Sequence, residues 1–468
     1  MLVASYCGVV IISFTGGNSG AIWLAPELLL LVGLVVIWRP TAYAFGSKTM
    51  ARFTYMMFLV FLAGVVVALL RFDPELEVAK AGAFRTLLGV PVKYLMTMYR
   101  LHTIAFLALA FFLPLHYYID RKLFLQLLIL CWLFSVVLAV SGILHYTRLA
   151  DFAFSYGMLP TYETSLTVLF GFRRGAHGPL LVTGIFMSFA MTQLTRSYNL
   201  KILGYISIPI LLIALLFSFS RAALVAILVG GVSLAATLGG ARAFKGILIS
   251  LFSAIVIYIV LTISPVLRER FLSFIGPAGK TMVEFGGMRI TGWISVAKWL
   301  SESPGVVAVG TGFQNFAYFI KLNPKAGQIG LGAGHNSWLH ALTEFGVLGF
   351  IVFNAWLASI FYWLVSWRRM MTDKIDKMMP GIFISLMLAI TVSCLTQESL
   401  VPSTAVVPWM VHFYIILGIW TSYYRTQMLE NFGDLEYLDS GQYAYDQTNC
   451  QDETLYETEQ YHDYNYIV

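Results

Sequence analysis

The sequence predicts an all-α polytopic membrane protein with about twelve spanning helices and one large outer loop between the ninth and tenth. Of 468 residues, 59% are hydrophobic and only 12% are charged, whereas a soluble domain has about 25% charged residues. Apolar runs that approach the roughly 20 residues of a spanning helix recur along the chain. The candidate spans are residues 2–14, 21–38, 53–71, 101–118, 123–144, 178–195, 202–219, 222–239, 246–265, 335–366, 378–397 and 403–424.

Lysine and arginine in the short connections predict the orientation of these spans. With the N-terminus in the cytoplasm, every inner connection is basic, as the positive-inside rule requires. These basic residues are Arg39, Lys48, Arg52, Arg121, Lys122, Arg196, Lys201, Arg242, Lys245, Arg368, Arg369, Lys374, Lys377 and Arg425. Both termini are then cytoplasmic, residues 266–334 form the outer loop, and residues 1–424 form one membrane domain. Residues 425–468 form a cytoplasmic tail that is rich in tyrosine and acidic residues.

Arg221 is the only charged residue between Lys201 and Arg242, and it is predicted to lie at the tip of a tight outer hairpin. An ionisable residue within a membrane segment is a functional candidate, and the guanidinium fork suits phosphates and diphosphates. The alternative is an arginine that reaches for lipid headgroups from a helix end. A second outer segment, Gly171–Pro179, offers a further anion contact through Arg173, Arg174 and His177.

The outer loop has an excess of basic residues and contains one amphipathic pattern, Met288–Leu300, which predicts a helix. Such a helix can lie in the membrane interface with its apolar face toward the lipid. Its apolar face consists of Trp293, Val296, Ala297 and Leu300. Arg289 lies four residues before the tryptophan, so the two side chains can stack. Pro304–Gly305 ends the helix, and the turn between Gly310 and Gly312 is expected to let backbone amides approach a ligand.

The tenth predicted span begins with His335 and contains Glu344, the only charged residue between Lys325 and Arg368. A neutral histidine at the start of this helix can act as a general base, and His340 can meet the glutamate on one helix face. The alternatives are that the first histidine caps the helix and that the glutamate only bonds a neighbouring helix. The two histidines lie on different faces without a third ligand nearby, so no metal site is predicted.

The order of these motifs resembles the O-antigen ligase and polymerase superfamily of bacterial inner-membrane glycosyltransferases, over roughly residues 165–365. The most specific part is His335-Asn336-x-x-Leu339 followed by Glu344-x-Gly346-x-x-Gly349. The resemblance implies a twelve-helix, GT-C-like fold and an active site at the periplasmic face. It also implies a donor glycan on undecaprenyl diphosphate, and neither a metal nor another cofactor.

By this resemblance, fixed cations stabilise the diphosphate leaving group and one base activates the acceptor hydroxyl. The expected catalytic residues are His335 and Glu344, and inversion at the anomeric carbon follows from a single displacement. The expected diphosphate-binding residues are Arg221, Arg289, Arg174 and Arg173. The expected supporting residues are Asn336, Trp293, Gly310, Gly312 and His177.

The acceptor is either another lipid-linked repeat or the lipid A-core, so the sequence leaves polymerase and ligase open. Between Asn431 and Val468 there are seven tyrosines and nine acidic residues, a composition typical of a disordered segment. This tail either has no role or docks a tyrosine kinase of polysaccharide export, and it favours a polymerase of O-antigen or exopolysaccharide. The alternative from another class is a transporter or flippase of lipid-linked glycans. Membrane lipids are expected partners, and nucleic acid is not.

Overall fold

The computed structural model describes residues 48–73, 92–146, 174–218, 220–238, 252, 288–323, 336–395, 400–401 and 407–432. Within these ranges every longer regular element is a helix, as predicted. The helices are α1 (Lys48–Leu70), α2 (Val92–Leu115), α3 (Arg121–Tyr146), α4 (Arg174–Leu194), α5 (Tyr198–Phe217), α6 (Arg221–Leu238), α7 (Met288–Glu302), α8 (Pro304–Val309), α9 (Phe316–Leu322), α10 (Ser337–Met370), α11 (Lys374–Cys394) and α12 (Val407–Phe432).

Five of the described segments are long and apolar enough to cross a membrane: residues 52–70, 121–144, 198–216, 337–370 and 376–394. Three shorter apolar helices cover residues 103–115, 178–194 and 222–238. All of them coincide with predicted spans, so the chain is a polytopic, helical membrane protein. The predicted spans 2–14 and 21–38, and nearly all of 246–265, lie outside the described residues. The total of twelve spans and the placement of the outer loop therefore stay predictions.

Helix α11 lies in the middle of the described bundle, where it packs against α4, α6 and α10. Small residues allow the closest of these contacts: a Cβ atom on Gly230 of α6 would lie 2.9 Å from the Cβ atom of Ala389 in α11. Close approach at small residues is the usual basis of helix association in membranes, because lipid offers no hydrophobic gain between helices. On the other side of the bundle, α10 packs on α1, and α12 packs on α2.

The α6–α11 pair is antiparallel, and its register locates the start of α6. The hydroxyl of Thr237 lies 3.5 Å from the carbonyl of Gly381, and the hydroxyl of Ser385 donates to that of Ser233 at 3.2 Å. Each step toward the N-terminus of α6 therefore matches a step toward the C-terminus of α11. The first turn of α6 lies beside the end of α11.

Helix α10 was predicted as one continuous span, but it is broken at Gly346, which has φ 67° and ψ −169°. Its 34 residues would measure about 51 Å if unbroken, well beyond the roughly 30 Å of a bilayer core. Residues 347–370 alone reach about 36 Å, which suffices to span. Glu344, expected two turns inside the span, therefore lies on a short segment, residues 337–345, that precedes the spanning part.

Candidate active site

The connection between α8 and α9 is bonded to the backbone of α10 just before its break. A helix break leaves the carbonyls of the preceding turn in need of other donors. The backbone N–H of Thr311 donates to the carbonyl of Thr343 at 2.8 Å, and that of Gly312 donates to the carbonyl of Glu344 at 2.9 Å. On the opposite side, the N–H of Phe313 donates to the carbonyl of Gly64 in α1 at 2.8 Å. The connection is thus held between α1 and α10.

Two glycines of this connection have backbone conformations and contacts that exclude a side chain. Gly310 has φ 80°, and a Cβ atom there would lie 2.1 Å from the carbonyl oxygen of Glu344. Gly312 has φ 101°, and a Cβ atom there would lie 2.3 Å from the backbone nitrogen of Ala68 in α1. The expectation that this turn offers its amides to a ligand is wrong, because the amides from 310 to 312 all bond within the protein.

Glu344 is fully buried beneath this connection. Its Oε2 atom accepts the backbone N–H of Gln314 at 2.9 Å, and its Oε1 atom lies 2.9 Å from Nε2 of His340. The imidazole stacks on the ring of Phe316, with the ring centres 5.3 Å apart. A buried carboxylate is costly unless it is bonded in this way. The predicted meeting of histidine and glutamate is confirmed, and the glutamate bonds the α8–α9 connection rather than a neighbouring spanning helix.

Asn336 caps α10, which removes the alternative that His335 does so. Its Oδ1 atom accepts the backbone N–H groups of Trp338 and Leu339, at 2.9 and 3.1 Å. Its Nδ2 atom donates to the carbonyl of Leu395 at 2.9 Å and so ties the start of α10 to the end of α11. Asparagine is among the best N-cap residues because its side chain satisfies the first amides of the helix. His335 directly precedes this cap and lies outside the described residues.

The Arg221 hairpin is as tight as the sequence predicts, since α5 ends at Phe217 and α6 begins at Arg221. Ser220 is buried, and its carbonyl accepts the backbone N–H of Leu224 at 3.2 Å. A Cβ atom on Gly178 would lie 2.7 Å from the hydroxyl of Ser220, so the first turns of α4 and α6 are in direct contact. Two sequence segments expected to bind anions are therefore adjacent.

Arg174 and His177 lie in the first turn of α4, and Arg221 opens α6. The side chains of these three residues, and the whole of Arg173, lie outside the described part of the structure.

Helix α7 forms where predicted, with Arg289 in its first turn and Trp293 half-buried, but its apolar face is covered by protein. The buried cluster consists of Val296, Trp299, Leu300, Val306, Phe316 and Phe319. Ala297, which was expected on the apolar face, is exposed. The expectation that this apolar face turns toward the lipid is therefore wrong, because the face packs on α8 and α9. Pro304 does end α7, and it is also the first residue of α8, where proline is favoured.

The N-termini of α4 and α6 are adjacent, and Asn336 ties the N-terminus of α10 to the end of α11. Each N-terminus carries a partial positive charge, which favours anionic ligands. The sequence motifs did not single out Gln314, which has φ 52° and lies in the same connection as the two glycines. Its only signal in the sequence is its place directly after Gly310-Thr-Gly312-Phe.

The model of the O-Antigen ligase family matches residues 206–354, about a third of the chain. The matched region begins in α5 and ends in α10, so it contains the Arg221 hairpin, the outer loop and the break at Gly346. No curated protein matches the chain. The family match confirms the resemblance of this chain to the O-antigen ligase and polymerase superfamily of membrane glycosyltransferases.

Proposed function

We propose that the chain transfers a glycan from undecaprenyl diphosphate to a sugar hydroxyl at the periplasmic face of the bacterial inner membrane. The family match carries this proposal, because it covers the arginine hairpin, the outer loop and the broken helix together. The product is a surface polysaccharide, as in exopolysaccharide or lipopolysaccharide biosynthesis. Both chain termini lie in the cytoplasm in this proposal, which rests on the basic inner connections.

In the proposed reaction, arginines stabilise the charge that develops on the departing lipid diphosphate. Arg221 and Arg289 are assigned this role, with Arg173 and Arg174 as further contacts. The contact between Gly178 and Ser220 supports the assignment, since it brings the first turns of α4 and α6 together. Guanidinium groups beside two helix N-termini suit a diphosphate. These fixed charges replace the divalent cation that many glycosyl transfers use, so the proposed transfer is independent of metal.

His335 is the proposed general base, and it removes the proton of the acceptor hydroxyl as the anomeric carbon is attacked. Asn336 supports this role, because its cap and its bond to Leu395 fix the backbone directly after the histidine. A single displacement with one base inverts the anomeric carbon. Glu344 is a positioning residue in this scheme, because its Oε2 atom accepts the backbone N–H of Gln314 and its Oε1 atom lies 2.9 Å from Nε2 of His340.

The acceptor distinguishes two versions of the proposal. A polymerase joins the growing chain to another lipid-linked repeat, and a ligase joins the finished chain to lipid A-core. The acidic, tyrosine-rich tail favours the polymerase, with a tyrosine kinase or other export protein as its partner. Phosphorylation would add about two negative charges per tyrosine to the tail.

Deletion of the gene, followed by mass spectrometry of the lipid-linked and lipid A-linked glycans, tests the proposal. Loss of a polymerase leaves single repeats on lipid A-core, and loss of a ligase leaves polymer on the carrier lipid. A flippase, the candidate from another class, would instead trap single repeats on the inner side of the membrane. Unchanged glycans after deletion would contradict all three functions, and restoration by the intact gene is the control.

A further inference from the structure

Gln314 combines two features that lower the stability of the fold. Its φ of 52° makes it the single non-glycine residue with positive φ among the described residues. The residue has 7% relative exposure, its side-chain Nε2 and Oε1 atoms are buried, and neither atom has a hydrogen-bond partner in the described part of the chain. Strained backbone and unsatisfied buried amides are both costly, and they concentrate at sites that hold ligands.

The surrounding contacts impose this conformation on Gln314. Its own backbone N–H donates to the buried carboxylate of Glu344 at 2.9 Å. The residue before it is bonded to Gly64 of α1. The residue after it, Asn315, uses its side-chain amide within the connection and donates to the carbonyl of Thr311 at 2.9 Å. Two neighbouring amides thus differ: that of Asn315 stabilises the connection, whereas that of Gln314 makes no bond within it.

We propose that the side-chain amide of Gln314 binds hydroxyl groups of the glycan substrate and so contributes to sugar recognition. This inference rests on the proposed function. A primary amide offers two donors and one acceptor, which matches the paired donors and acceptors of neighbouring sugar hydroxyls. The amide is uncharged, so it suits a sugar ring better than it suits the diphosphate assigned to the arginines. A buried amide that is built to bond a hydroxyl discriminates strongly against ligands that lack one.

The substitution Gln314→Gly in the full chain, purified into lipid nanodiscs, tests this role. Glycine adopts φ 52° without strain, so the variant should unfold at the same temperature as the wild type or a higher one. Three probes are compared: undecaprenyl diphosphate, the same lipid carrying one repeat unit, and the free repeat-unit oligosaccharide. We expect affinity for a sugar-bearing probe to fall about tenfold, and affinity for undecaprenyl diphosphate to stay unchanged.

The probe that loses affinity shows which part of the substrate Gln314 contacts. A loss with both sugar-bearing probes places Gln314 against the sugars themselves, and a loss confined to the lipid-linked repeat places it near the bond between sugar and diphosphate. The matched control is Asn315→Ala, which removes the neighbouring amide and should lower the unfolding temperature with a smaller change in sugar affinity. Unchanged sugar affinity of Gln314→Gly, whatever its unfolding temperature, would overturn the inference and leave the proposed function intact. A wild-type chain that binds none of the probes would overturn both.

Discussion

Two regions of this molecule are held together by different physical means. Inside the bundle, α6 and α11 pack through small residues, with Gly230 against Ala389 and a hydroxyl pair between Ser233 and Ser385. At the end that the proposal places at the periplasmic face, residues 310–316 and 337–346 form a unit, named the outer unit, that is held by backbone hydrogen bonds, three positive-φ glycines and the buried Glu344. The first region depends on the fit of side chains, and the second depends on backbone geometry.

The difference indicates where the molecule tolerates change. A packed helix pair can absorb an extra methyl group through small shifts of side chains. An interlocked backbone cannot, because the atoms that a new Cβ atom meets are themselves bonded carbonyls and amides. The proposed chemistry lies at the outer unit, where fixed geometry keeps catalytic groups in place.

His335→Ala should produce the largest change, a loss of about 10²- to 10⁴-fold in turnover with the unfolding temperature preserved. The reason is that a general base contributes to the rate of the reaction rather than to the free energy of unfolding. Turnover is measured with lipid-linked repeat as substrate, and unfolding is followed by circular dichroism.

The control is His412, which is buried in α12 beside Trp409. His412→Ala should lower the unfolding temperature and leave the turnover of the folded fraction intact. Full turnover of His335→Ala would show that the histidine is not the general base. The proposed difference in function between the two regions would then have no support.

Gly310→Ala should destabilise the outer unit by about 3 kcal/mol or more. The added Cβ atom would lie 2.1 Å from a backbone carbonyl oxygen, and the φ of 80° is unfavourable for alanine. Thermal unfolding and limited proteolysis of the outer loop measure this effect. Gly305→Ala in α8 is the matched control, because a Cβ atom there has no neighbour within 4 Å. Equal stability of the two variants would contradict the interlocked arrangement.

Gly230→Ala probes the helix pair and should cost about 1–3 kcal/mol, the usual range for overpacking. The new Cβ atom would lie 2.5 Å from the ring of Phe186 and 2.9 Å from the Cβ atom of Ala389. The phenylalanine ring is a side chain and can turn away, so the loss should be smaller than at Gly310. A combined Gly230→Ala and Phe186→Leu variant should recover part of it. A loss of stability larger than that of Gly310→Ala would show that the helix pair tolerates an added methyl group less well than the outer unit does.

The contrast between side-chain packing and backbone geometry also explains which features the sequence predicts. Hydropathy locates the described helices, because burial in lipid requires long apolar runs. The pairing of His340 with Glu344 followed from a spacing of four on one helix. The break at Gly346 did not follow, since Glu344-Phe-Gly-Val reads as an uninterrupted apolar helix apart from the glutamate. The role of Gln314 and the burial of α7 depend on contacts between distant segments, which leave no local pattern.

A weaker contact, between the α2–α3 connection and α12, gives the smallest expected effect. The phenol of Tyr118, between α2 and α3, donates to Glu430 near the end of α12, and this bond is the main reason why its pKa is raised to about 12. A raised pKa means that the neutral phenol stabilises the fold below pH 10, and that this stabilisation is lost as the pH rises from about 10 to about 12. Both groups are exposed, so the effect should be the smallest of the four. Unfolding temperatures measured across this interval should fall more steeply for the wild type than for Tyr118→Phe, and parallel curves would show that the contact contributes nothing to stability.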